Sequence, residues 1–345
     1  MRWAGWLLAV WVACGGSGSG GGGGGSEVVT PDGGAPPDGG VAADCAGLVP
    51  APPRTAIAFD VPSNANDPMT CGPSTVDAAA TIAVSAPTAS HPMQWKGFGA
   101  NGETGGTFDA PSLLIPQTKG FMGVSGQMSF VTLWDWYGSR ALSGTAATSV
   151  GPAFDSGGIA LSADSTSLTV TKVDAAGDGI ASVTLPGAFE PRAAAQDAAG
   201  AVLALIGSGT TVSGIWVDLG KQSAGQSFAV GIASAVRARP LLGGGVALQL
   251  DGRWTVVAQP GDSTLRPAPA WLADSRDFIG ARAGQAYAVM PKTGNTVGIV
   301  SAQGNSCGSV IFPGVTDVSV GIDGTVVGST GTAGCTKYVW RNALR

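Results

Sequence analysis

Hydrophobic positions along this chain come in short runs. Ala56–Val61, Ser129–Trp136, Val202–Ile206, Trp254–Ala258 and Thr296–Val300 are each bounded by Gly, Asp and Ser and are rich in β-branched or aromatic residues. That pattern predicts strands joined by tight turns. No apolar stripe with i, i+3, i+4, i+7 spacing is sustained, as a helix would require. Val202-Leu203-Ala204-Leu205-Ile206 does not alternate at all, which predicts a strand covered on both faces. Only three glutamates (Glu27, Glu103, Glu190) and six lysines occur, and helices draw heavily on both types. The predicted fold class is all-β.

The runs recur. Turns are predicted at Gly126, about Thr166, Gly200, Gly244, Gly284 and Gly324, a period of about 40 residues. The clearest match is between Asp197-Ala198-Ala199-Gly200 and Gly321-Ile322-Asp323-Gly324. Each is followed by a valine-containing strand, and Trp216 follows Gly200 at the same distance as Trp340 follows Gly324. A repeat of this length and composition resembles the four-stranded blade of a β-propeller. Ala195-Gln196-Asp197-Ala198-Ala199-Gly200 also fits the A-x-D-x-x-G turn of quinoprotein-type repeats, with Ala204 where those repeats carry tryptophan. The resemblance implies a β-propeller-like domain over residues 111–345 and about six to seven four-stranded blades in all. Residues 45–110 form an N-terminal β region with strands at Ala56–Val61 and Thr81–Val84 and a Trp95–Phe98 segment, expected to be a blade or a cap. The alternative is a β-sandwich-type N-terminal region followed by a smaller propeller.

The chain opens differently. Met1-Arg2 carries a positive charge, and Trp3–Val12 is an apolar run ending at Ala13-Cys14. Ten helical residues rise about 15 Å, half of a bilayer core of about 30 Å, so residues 1–13 predict a signal peptide and not a membrane span. Val12-Ala13-Cys14 resembles the end of a bacterial lipoprotein signal, with Trp11 where that family usually has leucine. The resemblance implies lipidation at Cys14, a lipid anchor in the membrane and, with Gly15-Gly16 next, an outer-membrane lipoprotein. Without lipidation the protein would be secreted. Residues 14–44 are a Gly- and Pro-rich linker with almost nothing to bury, expected to be disordered. The formal G-x-G-x-x-G within it has no strand before it and no helix after it, so it carries no dinucleotide-binding implication.

Beyond Cys14 there are four cysteines, Cys45, Cys71, Cys307 and Cys335, an even number for an exported chain, which predicts two disulfides. Of three pairings, nearest-neighbour closure (Cys45 with Cys71, Cys307 with Cys335) is expected. The net charge is −5, and no basic cluster exceeds Arg237-Ala238-Arg239, so nucleic acid is excluded as a partner.

Candidate chemistry is sparse. Gly304-Asn305-Ser306-Cys307-Gly308 matches the G-x-S-x-G nucleophile elbow, but a strand follows where the elbow needs a helix, and His91 is the only histidine. His91 sits in a polar loop and is assigned no role. Asp174-Ala175-Ala176-Gly177-Asp178-Gly179 resembles the start of a calcium loop but lacks an oxygen ligand at Ala176 and the closing glutamate at Leu185; a hairpin turn is the expectation. In Leu133-Trp134-Asp135-Trp136-Tyr137, strand alternation would place Trp134 and Trp136 on one face and Asp135 and Tyr137 on the other. These aromatics are the candidate ligand-binding residues, as a platform for protein or glycan; filling space between blades is the competing role. No catalytic residue, metal or cofactor is expected. The sequence therefore points to a non-catalytic binding or scaffold module of the cell envelope. Alternatives are a propeller lipoprotein resembling outer-membrane assembly factors and an extracytoplasmic enzyme acting on a glycan or phosphoester.

Overall fold

The computed structural model describes residues 43–48, 53, 55–63, 65–110, 113–124, 129–281, 284–330 and 335–344. Cys14, the signal peptide and the linker up to residue 42 lie outside the described residues, as does the turn expected at Gly126.

Seven antiparallel sheets follow one another along the chain, at residues 74–109, 115–146, 149–186, 190–232, 236–267, 275–311 and 317–340. We number these blades 1 to 7. The chain crosses each from the innermost strand outward. Blade 4 splits its outer strand into two pieces, Ser223–Ala224 and Phe228–Ile232, both paired with Thr211–Asp218. Blade 7 supplies only three strands from the C-terminal end. Its fourth is Ile57–Asp60, antiparallel to Thr336–Trp340 with Ile57 opposite Val339. The propeller is thus closed by a strand from the start of the domain, and residues 74–109 make a complete blade of their own.

Burial explains the composition. Second strands are the driest: Val202–Ser208 is buried from Val202 through Ile206, as its unbroken apolar run requires. Outermost strands such as Arg140–Ala146 and Gly179–Pro186 are mostly exposed. Among the described residues there is one hydrophobic cluster for each junction between successive blades, seven in all. At the junction of blades 5 and 6, Trp254, 1% exposed, meets Phe278 edge-on at 5.1 Å and donates its indole N–H to the Arg276 carbonyl at 3.2 Å.

The turns between first and second strands use a shared device. Asp197 accepts from the backbone N–H of Ala199 (3.0 Å) and Ala201 (2.9 Å), and Gly200 takes φ +89°. Asp77 does the same for Ala79 and Thr81 in blade 1. Gly244, Gly284 and Gly324 occupy the equivalent turns of blades 5, 6 and 7, all at positive φ. Trp216 and Trp340 both stand in third strands, three blades apart, which accounts for their matched spacing. The turn expected near Thr166 is misassigned: it joins the second and third strands of blade 3, whose first turn ends at Gly157.

The disulfide pairing also corrects the expectation. Cys45 is bonded to Cys307 (Cα–Cα 5.2 Å) and Cys71 to Cys335 (5.4 Å). Short-loop reasoning fails because the fold brings the first and last described segments of the domain together. Cys307 lies on the outer strand of blade 6, and Cys335 just precedes the third strand of blade 7. Both bonds therefore clamp the closure, on either side of Ile57–Asp60.

Candidate functional site

The innermost strands line a central channel with two chambers. The larger, about 690 Å³, is lined at the end where these strands begin, by residues such as Ser74, Thr148, Glu190 and Ser234. The smaller, about 400 Å³, lies where they finish and is lined by Pro116, Phe154, Leu242 and Ile322 among others. Arg237 and Arg239 line both chambers, so they form the waist between them.

Their placement follows from strand alternation. In Val236–Pro240, Ala238 points into the core shared with blade 4, so Arg237 and Arg239 face the opposite way, into the channel. The neighbouring inner strand brings Asp277 against them. Arg237 Nη2 is 3.1 Å from Asp277 Oδ2, Arg239 Nη2 2.9 Å from the same oxygen, and Arg239 Nε 2.8 Å from Oδ1. The Nε contact is misaligned, leaving that buried N–H with no hydrogen bond. Burial would raise the Asp277 pKa, but Arg239 and then Arg237 outweigh it and hold the carboxyl below its ordinary value. Burial conversely lowers Arg239, against the pull of Asp277.

The other charges sit in pairs. Arg276 binds Asp317 and the Val318 carbonyl, and Arg192 meets Glu190 at 3.1 Å. Four arginines and two carboxylates line the large chamber, a cationic excess in a chain of net charge −5. The cations come from blades 4, 5 and 6. Blades 2 and 3 and the segment leading into blade 2 supply uncharged lining, including Leu113, Leu114, Pro116, Val150 and Pro152. The charged side chains thus gather on one arc of the channel, and the remaining lining is uncharged.

The sequence-derived aromatic segment lies elsewhere. The strand Phe130–Trp134 ends at Trp134, and Trp136 and Tyr137 occupy the following turn, so the two tryptophans do not share a strand face. Trp134 is 2% exposed and stacks on Phe108 at 5.9 Å. Trp136 is half-buried on blade 1, where a Cβ on Gly97 or Gly105 would collide with its carbonyl oxygen. Tyr137 is exposed and packs on Trp136 at 3.7 Å.

Ser306 and Cys307 are residues of a strand, Ser306–Ile311, and Cys307 is disulfide-bonded, so the G-x-S-x-G match is a hairpin. Asp174 caps the turn between Ser167–Val173 and Gly179–Pro186, accepting from Ala176 and Asp178 N–H. His91 lies 3.5 Å from Asp109 at the surface. The arginine waist was legible in part, since Arg-Ala-Arg in a strand puts both cations on one side; which side faces the axis was not.

No protein-family model matches the chain, and no curated protein matches its sequence. Solved structures do resemble it. The β-propeller domain of Cps50 (Swd1) from Myceliophteria thermophila is 12% identical, over 83% of this chain and 99% of that one, at a TM-score of 0.46. BamB from Moraxella catarrhalis is 13% identical over 81% and 86%, at 0.40. Kuenenia stuttgartiensis hydrazine synthase is 11% identical over 67% and 76%, at 0.44. The fold rests on the seven four-stranded sheets themselves: the chain is a seven-bladed β-propeller.

Proposed function

We propose that this protein is a non-catalytic binding module of the bacterial cell envelope, tethered through Cys14, that holds an anionic group of a protein or glycan ligand in its channel. The observation that carries the reading is the cationic waist, Arg237 and Arg239 on a single carboxylate. Two guanidinium groups offer about ten N–H donors, far more than Asp277 can accept. The ion pairing also argues against acid catalysis there. A general acid needs a raised pKa, whereas Asp277 is held low by its arginines. The two disulfides support an extracytoplasmic location.

The test has two arms. Cys14→Ala should abolish palmitate labelling and move the protein from the membrane to the soluble fraction. Arg237→Gln, folded by circular dichroism, should lose capture of acidic polymers such as polyglutamate or polygalacturonate. Wild-type capture that survives Arg237→Gln, or turnover of any polysaccharide or phosphoester that a channel mutation abolishes, would overturn the reading.

A further inference from the structure

The smaller chamber departs from what a simple anion site needs. A site for a phosphate or a bare carboxylate would be polar throughout. Here the rim carries Phe154 and Ile322, 38% and 37% exposed, and the wall continues through Leu113, Pro116 and Leu242. At its floor stand Arg237 and Arg239, with the buried Arg239 Nε that meets no aligned acceptor. The one acidic residue of the lining, Asp155, is already taken by Lys172 at 2.9 Å. A single cavity thus offers apolar surface at its mouth and guanidinium donors at its end.

Resting on the channel-binding reading, we infer that this chamber takes an amphiphilic carboxylate, apolar body in the mouth and carboxylate on Arg237 and Arg239. Arginine suits the planar, two-oxygen head as a lysine would not. The triad of two cations and one anion, its side chains 18–32% exposed, carries an excess positive charge that a second carboxylate would neutralise. About 400 Å³ lies within the range of small-ligand sites, roughly 300–1,000 Å³. Such a head and body could belong to a fatty acid or to the C-terminal end of an apolar peptide.

Calorimetric titration of the full chain separates these. The probes are octanoate, decanoate, decanol, acetate, and an acetylated apolar tripeptide as free acid and as amide. Decanoate or the tripeptide acid should bind at least tenfold more tightly than decanol or the amide respectively, and whichever acid binds identifies the source. If the acyl chain is the body, decanoate should exceed octanoate about tenfold, at three- to fourfold for each buried methylene. Arg237→Gln should weaken the bound acid tenfold or more. Ile322→Asp, an exposed turn substitution that leaves the core untouched, should do the same. Equal binding of decanol, acetate binding as tightly as decanoate, or no binding of either acid would overturn the inference. If polyglutamate is still captured in an Arg237-dependent way, only the amphiphile is lost; if not, the channel reading falls with it.

Discussion

Lys337 shows what one residue can reveal. Its side chain is 2% exposed, and its ammonium donates to the Gly72 carbonyl at 3.0 Å, reaching from blade 7 to the segment that leads into blade 1. Burial lowers its pKa to about 8, with Asp317 pulling it up and Arg276 pushing it down. A lysine charged in the unfolded chain up to about pH 10.4 but neutral in the fold above about pH 8 makes the unfolded state bind more protons across that interval. Stability contributed by this residue should therefore rise with pH from about 8 to about 10, by about 3 kcal/mol at most. Chemical denaturation across that range should show the rise in the wild type and lose it in Lys337→Met. Ala80 makes a second point. It holds φ +62° in the first turn of blade 1, where blades 5, 6 and 7 place glycine. Left-handed backbone costs an alanine about 1–2 kcal/mol, against the 0.5–1 kcal/mol entropy cost of glycine. Ala80→Gly should raise stability by about 0.5–1 kcal/mol, read as a higher Tm.

Elements were legible from sequence where periodicity was strong. Val202–Ser208 announced itself because a second strand must be apolar on both faces, and the Gly200 and Gly324 turns because the same Asp-capped or Gly-ended hairpin recurs. Blade 3 hid its first turn because its spacing differs: two residues separate Asp155 from the second strand at Gly158, where four follow Asp77 and Asp197. Leu133–Tyr137 misled for a related reason. Alternation assumes a strand that continues, and the strand stops at Trp134. The two tryptophans accordingly predict different losses. Trp134→Ala opens a cavity beside Phe108 and Phe121 and should cost about 3–5 kcal/mol. Trp136, seated over glycines with one side toward solvent, should cost about 1–2 kcal/mol by the same denaturation assay.

At the scale of the whole molecule, the chain ends were the least legible feature. Nothing local to Cys45 says that residue 307 is its neighbour; only a closed ring of seven blades brings them within 5.2 Å. The same is true of the waist, where Arg237 and Asp277 meet because successive inner strands converge on one axis. Loop-entropy reasoning gives a bond spanning 262 residues about 6 kcal/mol at most, and the second bond less, since the first already ties the ends together. Non-reducing peptide mapping should return Cys45–Cys307 and Cys71–Cys335, and reduction should lower the free energy of unfolding by several kcal/mol, read as a lower denaturation midpoint.

That covalent closure also fixes how the domain would answer a pull. Tension applied through the residues before Cys45 does not reach Ile57–Asp60 first; it crosses the Cys45–Cys307 bond directly into blade 6. Stretched between its two ends, the oxidised domain can pay out fewer than forty residues by the shortest covalent path, about 130 Å at full extension. Once reduced, the same domain can lengthen by about 1,000 Å, beginning with the peeling of one four-residue strand. In force spectroscopy the oxidised chain should act as a short, stiff link and the reduced chain as a long fuse that starts to unravel at its closing strand.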